Sequence, residues 1–424
     1  MSNAIGETSC FVEDKNLTEN SPLSRKVLDL ILPRAVISPA GLEHIAGHKY
    51  KSGAWTHLDN ILNPAWTAAA ECLPLWLAPN TVTTLGFLHC LSSYTLLWRY
   101  QALETVTVGE GEVLPSWVLV FSAYCAFAYY TLDCMDGKQA RRTGQSSPLG
   151  QLFDHGVDCI SLLSHFSNVF SFVLIGGSKW FLVCQVTTHI VFFSAQWVEY
   201  HTGSLPTGAG KFLGVTEVNY GVAILTFCNA FIDREAFWLR PLAEVVPETF
   251  LPSFLLDVRI NEFCVIVWAV MNVGCIAKAL QLVFHDVTAP AARRAALAHL
   301  ASPLLLAAAP FALPAGFIEG NSRYLSLAVG LLFSHITTKL IVFGMARMSY
   351  ANVQREVLPF CVACIAAGAT GGSFESVWRI TPRTFLTIAC WLHGLWLVGF
   401  CRAVIIQICA RLDIYCFSIK KKKD

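Results

Sequence analysis

The chain has 424 residues, 54% of them hydrophobic and only 14% charged, and carries a net charge of +1. Soluble domains are about 25% charged, so a soluble globule is excluded and an all-α, polytopic integral membrane protein is predicted. A net charge this close to zero gives no electrostatic footprint for nucleic acid, and none is expected as a partner.

Residues 1–20 are polar and mixed in charge, without the basic start and apolar core of a signal peptide. Targeting is therefore expected from the spans themselves. Residues 1–77 read as a cytosolic arm. Within it, 64–77 predicts a short helix bent at Pro74, with Trp66, Ala70, Leu73 and Leu77 at i, i+4, i+7 and i+11. With Trp76 as an anchor, that stripe suits an amphipathic interfacial helix.

Ten stretches then approach the length and apolarity of a membrane span. They centre on 85–97, 115–132, 160–175, 181–197, 218–232, 263–283, 297–317, 325–343, 357–368 and 387–409. The first five make a core over 78–232, the next five fill 233–410, and 411–424 is a basic cytosolic tail. Lys138, Arg141, Arg142, Arg293, Arg294, Arg347, Arg355 and Lys420–Lys423 fall on one side of ten spans, which the positive-inside rule makes cytosolic. Arg234, Arg240 and Arg259 fall on the other side. Lys421 and Lys422, fourth and third from the end, match a dilysine retrieval signal, and the same tail would also attract anionic lipid. Cys159, Cys228 and Cys390 sit in apolar runs and read as small hydrophobes. Cys361-x-x-Cys364 has half of a zinc-site spacing and no second pair.

Charges inside apolar segments are unfavourable and usually mark a site. Here they follow one pattern: Asp133-x-x-Asp136-Gly137-x-x-Ala140-Arg141, eight residues, then Gly150-x-x-x-Asp154-x-x-x-Asp158. Asp133 and Asp136 share a helix face, as do Asp154 and Asp158. The Asp136-Gly137 pair is expected at a helix end. Thr143-Gly144 and Ser147-Pro148 predict a turn between two antiparallel helices. Four carboxylates brought together need cations, and hard divalent ions with oxygen ligands, Mg²⁺ or Mn²⁺, fit best. A pair of such ions suits phosphoryl transfer. Gly137, Ala140 and Gly150 leave room for a nucleotide, and Arg141 offers a planar fork to phosphate.

This pattern resembles the signature of the CDP-alcohol phosphotransferase family. Leu75-Trp76-Leu77-Ala78-Pro79-Asn80, His48-Lys49-Tyr50, Leu58-Asp59, the Pro148 to Asp158 segment, Val215-Thr216-Glu217-Val218 and the ending over 406–419 resemble its eukaryotic choline/ethanolamine branch. The resemblance implies transfer of phosphocholine or phosphoethanolamine from CDP-choline or CDP-ethanolamine to diacylglycerol, with loss of CMP. It implies that Asp133, Asp136, Asp154 and Asp158 hold two divalent ions. Asn80, Asp133, Gly137, Ala140 and Arg141 would line the CDP site, and Gly150 would keep its approach open. It also implies a homodimer in the endoplasmic reticulum or Golgi, an active site facing the cytosol, and Asp158 as one candidate base.

The residues themselves offer two more bases, His155 between the last aspartates and Glu217 at the start of the fifth span. A quaternary ammonium favours aromatic rings, and Tyr129, Trp197, Tyr200 and Tyr220 lie near suitable span ends, with Glu199 as an alternative partner. The resemblance of the Val215–Val218 segment to that branch implies choline or dual use over strict ethanolamine use. Two other classes stay open here. A membrane prenyltransferase would need a second Asp-rich motif, and an ion-coupled transporter would need inverted repeats.

Overall fold

The computed structural model describes residues 33–49, 53, 55–100, 114–208, 210–371 and 379–420. These residues form helices and no strand. In chain order they are α1 (Pro39–Ala46), α2 (His57–Glu71), α3 (Pro79–Arg99), α4 (Ser116–Arg142), α5 (Pro148–Phe172), α6 (Lys179–Thr202) and α7 (Val215–Cys228). There follow α8 (Arg234–Trp238), α9 (Ile260–Asp286), α10 (Pro290–Ala298), α11 (Ala301–Ala308), α12 (Ala315–Met345), α13 (Leu358–Ala369) and α14 (Pro382–Leu412). Tyr50 and the dilysine at 421–422 lie outside the described residues.

The helix starts are written locally. Pro39, Pro148 and Pro382 open their helices behind Ser38, Ser147 and Thr381, whose side chains accept a backbone N–H from the first turn. Among the described residues, six segments are long and apolar enough to cross a membrane: α4, α6, α9, the run over 290–312, α12 and α14. The architecture is therefore all-α and polytopic, and six rather than ten segments meet this measure. The other four expected spans fall on α3, α5, α7 and α13. Two of these, α7 and α13, have 14 and 12 residues, too short for a hydrocarbon core of roughly 30 Å at 1.5 Å per residue. The other two have spanning length, and their polar residues lower their hydropathy.

The helix expected over 64–77 begins and ends earlier. Thr56 and Asp59 form a capping box that starts α2 at His57. It closes at Glu71, because a residue before proline disfavours helix and Pro74 lies just beyond. Pro74 is thus in the following turn and bends nothing. Trp66 and Ala70, expected to face the membrane surface, are buried against α3 and α4. Trp76 remains exposed.

Helix α12 is the axis of the C-terminal part. It packs on α5, α6 and α14, and Leu325, Val329, Leu332, Phe333, Ile336 and Leu340 on it are fully buried. Gly330 lets it approach α5, since a Cβ there would stand 2.7 Å from Leu163. Lys339 on α12 pairs with Glu356 at 2.7 Å, tying the helix to the segment before α13. Burial opposes the charge on Glu356. The nearby His335 ring, at 3.8 Å, and the hydrogen bond and charge of Lys339 nonetheless hold its carboxyl well below the usual carboxylate range. Cys361 and Cys364 are buried in this core as ordinary packing residues, and Cys228, expected to be buried, is exposed at the end of α7.

Candidate active site

The site sits on the α4–α5 hairpin. Helix α4 runs six residues past Asp136, so Asp136 and Gly137 lie inside it rather than at its end. Gln139, Ala140, Arg141 and Arg142 are good helix formers, and the two arginines favour the helix C-terminus. The chain then turns at Gly144, with φ of +66°. The Ser147 cap restarts it as α5. This turn sets the two aspartate pairs face to face.

One carboxylate oxygen each from Asp133, Asp154 and Asp158 lies within 4.8 Å of the others. Asp133 Oδ1 and Asp154 Oδ1 are buried and have no hydrogen-bond partner among the described residues. Three close carboxylates, two of them with an orphaned oxygen, fit a divalent cation bound through oxygen. Asp136 lies outside this trio and is buried, its Oδ2 accepting the Thr83 hydroxyl of α3 at 2.5 Å. Asp158 Oδ1 accepts the Tyr129 hydroxyl of α4 at 2.5 Å.

The surroundings hold Asn80 in place. Gln139 is fully buried, and its amide donates to the carbonyls of Pro74 and Leu77 at 2.9 and 3.0 Å, pinning the turn before α3 to α4. Arg142 donates to Ala70 and Leu73 carbonyls at the end of α2. The Asn80 side-chain amide donates to the Cys416 carbonyl at 3.0 Å. A Cβ on Gly150 would meet nothing within 4 Å, and one on Gly137 only the Arg141 guanidinium at 3.7 Å. The hairpin is therefore open beside these glycines, where Ala140 is half-buried and Arg141 exposed.

A family model described as CDP-alcohol phosphatidyltransferase matches residues 76–246, which take in α3 to α7. Cholinephosphotransferase 1 of Danio rerio is 30% identical over 90% of this chain and 95% of its own length. The chain belongs to the CDP-alcohol phosphatidyltransferase family. This phosphatidyltransferase is also similar to the uncharacterized CDP-alcohol phosphatidyltransferase class-I family protein 3 of Dictyostelium discoideum, at 29% identity over 91% of the chain and 99% of that protein. Ethanolaminephosphotransferase 1 of Mus musculus is 28% identical over 91% of the chain and 95% of its own length.

The remaining candidates of this phosphatidyltransferase fall into distinct places. His155 is buried on α5, about 100° around the helix from Asp154. The Glu217 carboxylate accepts the Gly214 N–H at 2.8 Å and so caps α7. The four aromatic candidates split between two clusters. Trp197 donates its indole N–H to the Ala296 carbonyl at 3.0 Å, and Tyr200 its hydroxyl to the Met348 carbonyl at 3.0 Å, both in the core cluster around α12. Tyr129 and Tyr220 pack with Trp66 and Tyr130 beside α4, and Trp66 Nε1 donates to the Tyr220 hydroxyl at 2.8 Å. Glu199 accepts the Gln151 amide at 3.0 Å, and Gln151 in turn meets His48 at 2.9 Å. Asp59 accepts the Thr216 hydroxyl, so the Leu58-Asp59 and Val215–Val218 segments meet through one hydrogen bond.

Thr83, Tyr129 as a carboxylate donor, and Gln139 were not legible as site residues. Each acts across helices, and only the i, i+4 step from Tyr129 to Asp133 hinted that its hydroxyl points toward the aspartates. Tyr129→Phe keeps the ring packing and removes one donor to Asp158. It is expected to weaken Mn²⁺ binding by about 10- to 100-fold, as loss of a group supporting a metal ligand does. A Mn²⁺ titration followed by electron paramagnetic resonance checks this, and unchanged binding would refute it.

Proposed function

We propose that this enzyme transfers phosphocholine or phosphoethanolamine from its CDP ester to the hydroxyl of diacylglycerol, giving phosphatidylcholine or phosphatidylethanolamine and CMP. The observation that carries the reading is the convergence of Asp133, Asp154 and Asp158, with orphaned oxygens, on a hairpin open beside Gly137 and Gly150. These three aspartates, with Asp136 alongside, would hold two divalent ions, Mg²⁺ or Mn²⁺, which would supply positive charge to offset that of the diphosphate.

The chain's own groups do the rest. Asn80, Asp133, Gly137, Ala140 and Gly150 bound the nucleotide, and the Arg141 fork pairs with phosphate oxygens. The acceptor oxygen forms a bond to the phosphorus bearing the choline or ethanolamine. The bond from that phosphorus to the bridging oxygen breaks, and CMP carries that oxygen away. His155 takes the hydroxyl proton. His155 is next to Asp154 in the chain and buried on the same helix, and Glu217, at the start of α7, is the group that would assist it. Tyr129 and Tyr220, which pack together beside α4, are the aromatic candidates for the ammonium group. Orientation toward the cytosol, residence in the endoplasmic reticulum or Golgi, and assembly as a homodimer belong to the same proposal.

The test is CMP release from CDP-choline and CDP-ethanolamine by purified protein in detergent, with and without diacylglycerol and divalent ion. Release that requires both supports the reading. No CMP from either ester under any divalent ion sinks it. Competition between the two esters then reads the preference, and exclusive use of CDP-ethanolamine would overturn dual use.

A further inference from the structure

Beneath the aspartates, this enzyme keeps polar side chains that the reaction as written does not use. On α5, Asp154, Asp158, Ser161, His165 and Asn168 recur at i, i+4, i+7, i+11 and i+14 and share one face. The stripe continues about 10 Å from Asp158 to His165, at 1.5 Å per residue. Ser161, His165 and Asn168 are at most 6% exposed, and Ser122 on α4 is 3% exposed. Ser122 Oγ, Ser161 Oγ, His165 Nε2 and Asn168 Oδ1 have no hydrogen-bond partner among the described residues. Ser122, His165 and Asn168, with Ser93 of α3 and Thr226 of α7, line a narrow slot with room for about one water-sized group.

Buried polar atoms are almost always paired, and leaving one unpaired is costly. Three of these orphans, on Ser122, His165 and Asn168, line the slot and point to a ligand there. The slot is linked to the reacting centre through Tyr129, whose ring lies 6.0 Å from that of His165 and whose hydroxyl donates to Asp158. Its outer wall is α7, where Ile224 and Phe227 are exposed on the outward side. A ligand arriving from the bilayer would meet α7 first. The slot's hydroxyls and imidazole can donate, and its width suits a single oxygen. An ester carbonyl has that size, accepts hydrogen bonds, and lies a few bonds from the free hydroxyl of a diacylated glycerol.

We propose that this slot is an acceptor subsite that seats an ester carbonyl of the glycerolipid against His165 and Ser122, while its hydroxyl faces the aspartates. The proposal rests on the transfer reading above. It makes the enzyme a reader of the ester linkage as well as of the hydroxyl.

The test uses purified full-length enzyme with dioctanoylglycerol and with the matched dioctyl ether, which has the hydroxyl and no carbonyl. Wild type is expected to show a KM about fivefold higher for the ether, the scale of one lost hydrogen bond. His165→Phe and Ser122→Ala are expected to raise the KM for the diester about fivefold. They should bring the two acceptors within about twofold of each other and leave the KM for the CDP ester unchanged. Normal CMP release from wild type with no ester preference overturns the proposal alone, as does an equal loss with both acceptors in the variants. No CMP release with either acceptor overturns the transfer reading and this proposal with it.

Discussion

Asp154→Asn is expected to lower CMP release by at least about a thousandfold, the scale on which removing a metal-held charge from phosphoryl chemistry acts. The reason is local. Asp154 supplies one of three carboxylate oxygens within 4.8 Å of each other, and its Oδ1 has no partner among the described residues. An amide there presents either a neutral oxygen or an N–H that repels a cation. The same change removes one charge from a crowd of like charges. The metal-free variant should therefore melt at or above the wild-type temperature. Added Mg²⁺ should raise the wild-type melting temperature by mass action and leave the variant unmoved. Turnover within tenfold of wild type would show that the trio is not the metal centre.

His155→Ala is expected to lower kcat by about 10²- to 10⁴-fold, the usual contribution of a positioned base. Its KM for the CDP ester should hardly change. His155 is buried and stands a quarter turn away from the face that carries Asp154 and Asp158, so its loss should leave Mg²⁺-dependent stabilisation intact. That split separates it from Asp154→Asn, where turnover and metal-linked stability fall together. Near-normal turnover at saturating metal would remove His155 from the chemistry and return the role to Asp158.

The aspartates were legible because their information is local: two helical spacings and a turn place four carboxylates on facing helices whatever the rest of the chain does. The membrane class was legible from composition. The start of α2 was written in Thr56 and Asp59, yet the apolar stripe from Trp66 onward suggested a later helix on a membrane surface. Trp66 and Ala70 instead meet α3 and α4, a contact between residues distant in sequence. Sequence spacing could not foresee that Asp136 is held by Thr83 and Asp158 by Tyr129. It could not foresee either that Gln139 anchors the turn before α3. Six segments meet the length and apolarity of a span; α7 and α13 are shorter, at 14 and 12 residues, and the polar residues of α3 and α5, the aspartates among them, lower their hydropathy.

One contact bears on how the enzyme is made. Asn80 reaches the Cys416 carbonyl, and Gln407 on α14 binds the Val36 and Ile37 amides ahead of α1. Val36, Ile37 and Asn80 thus find partners more than 300 residues away along the chain, on α14 and the segment after it. The signature hairpin is a local structure, whereas the rim around Asn80 is closed by a contact between residues 336 positions apart, so the site is complete only when both parts of the chain are folded together.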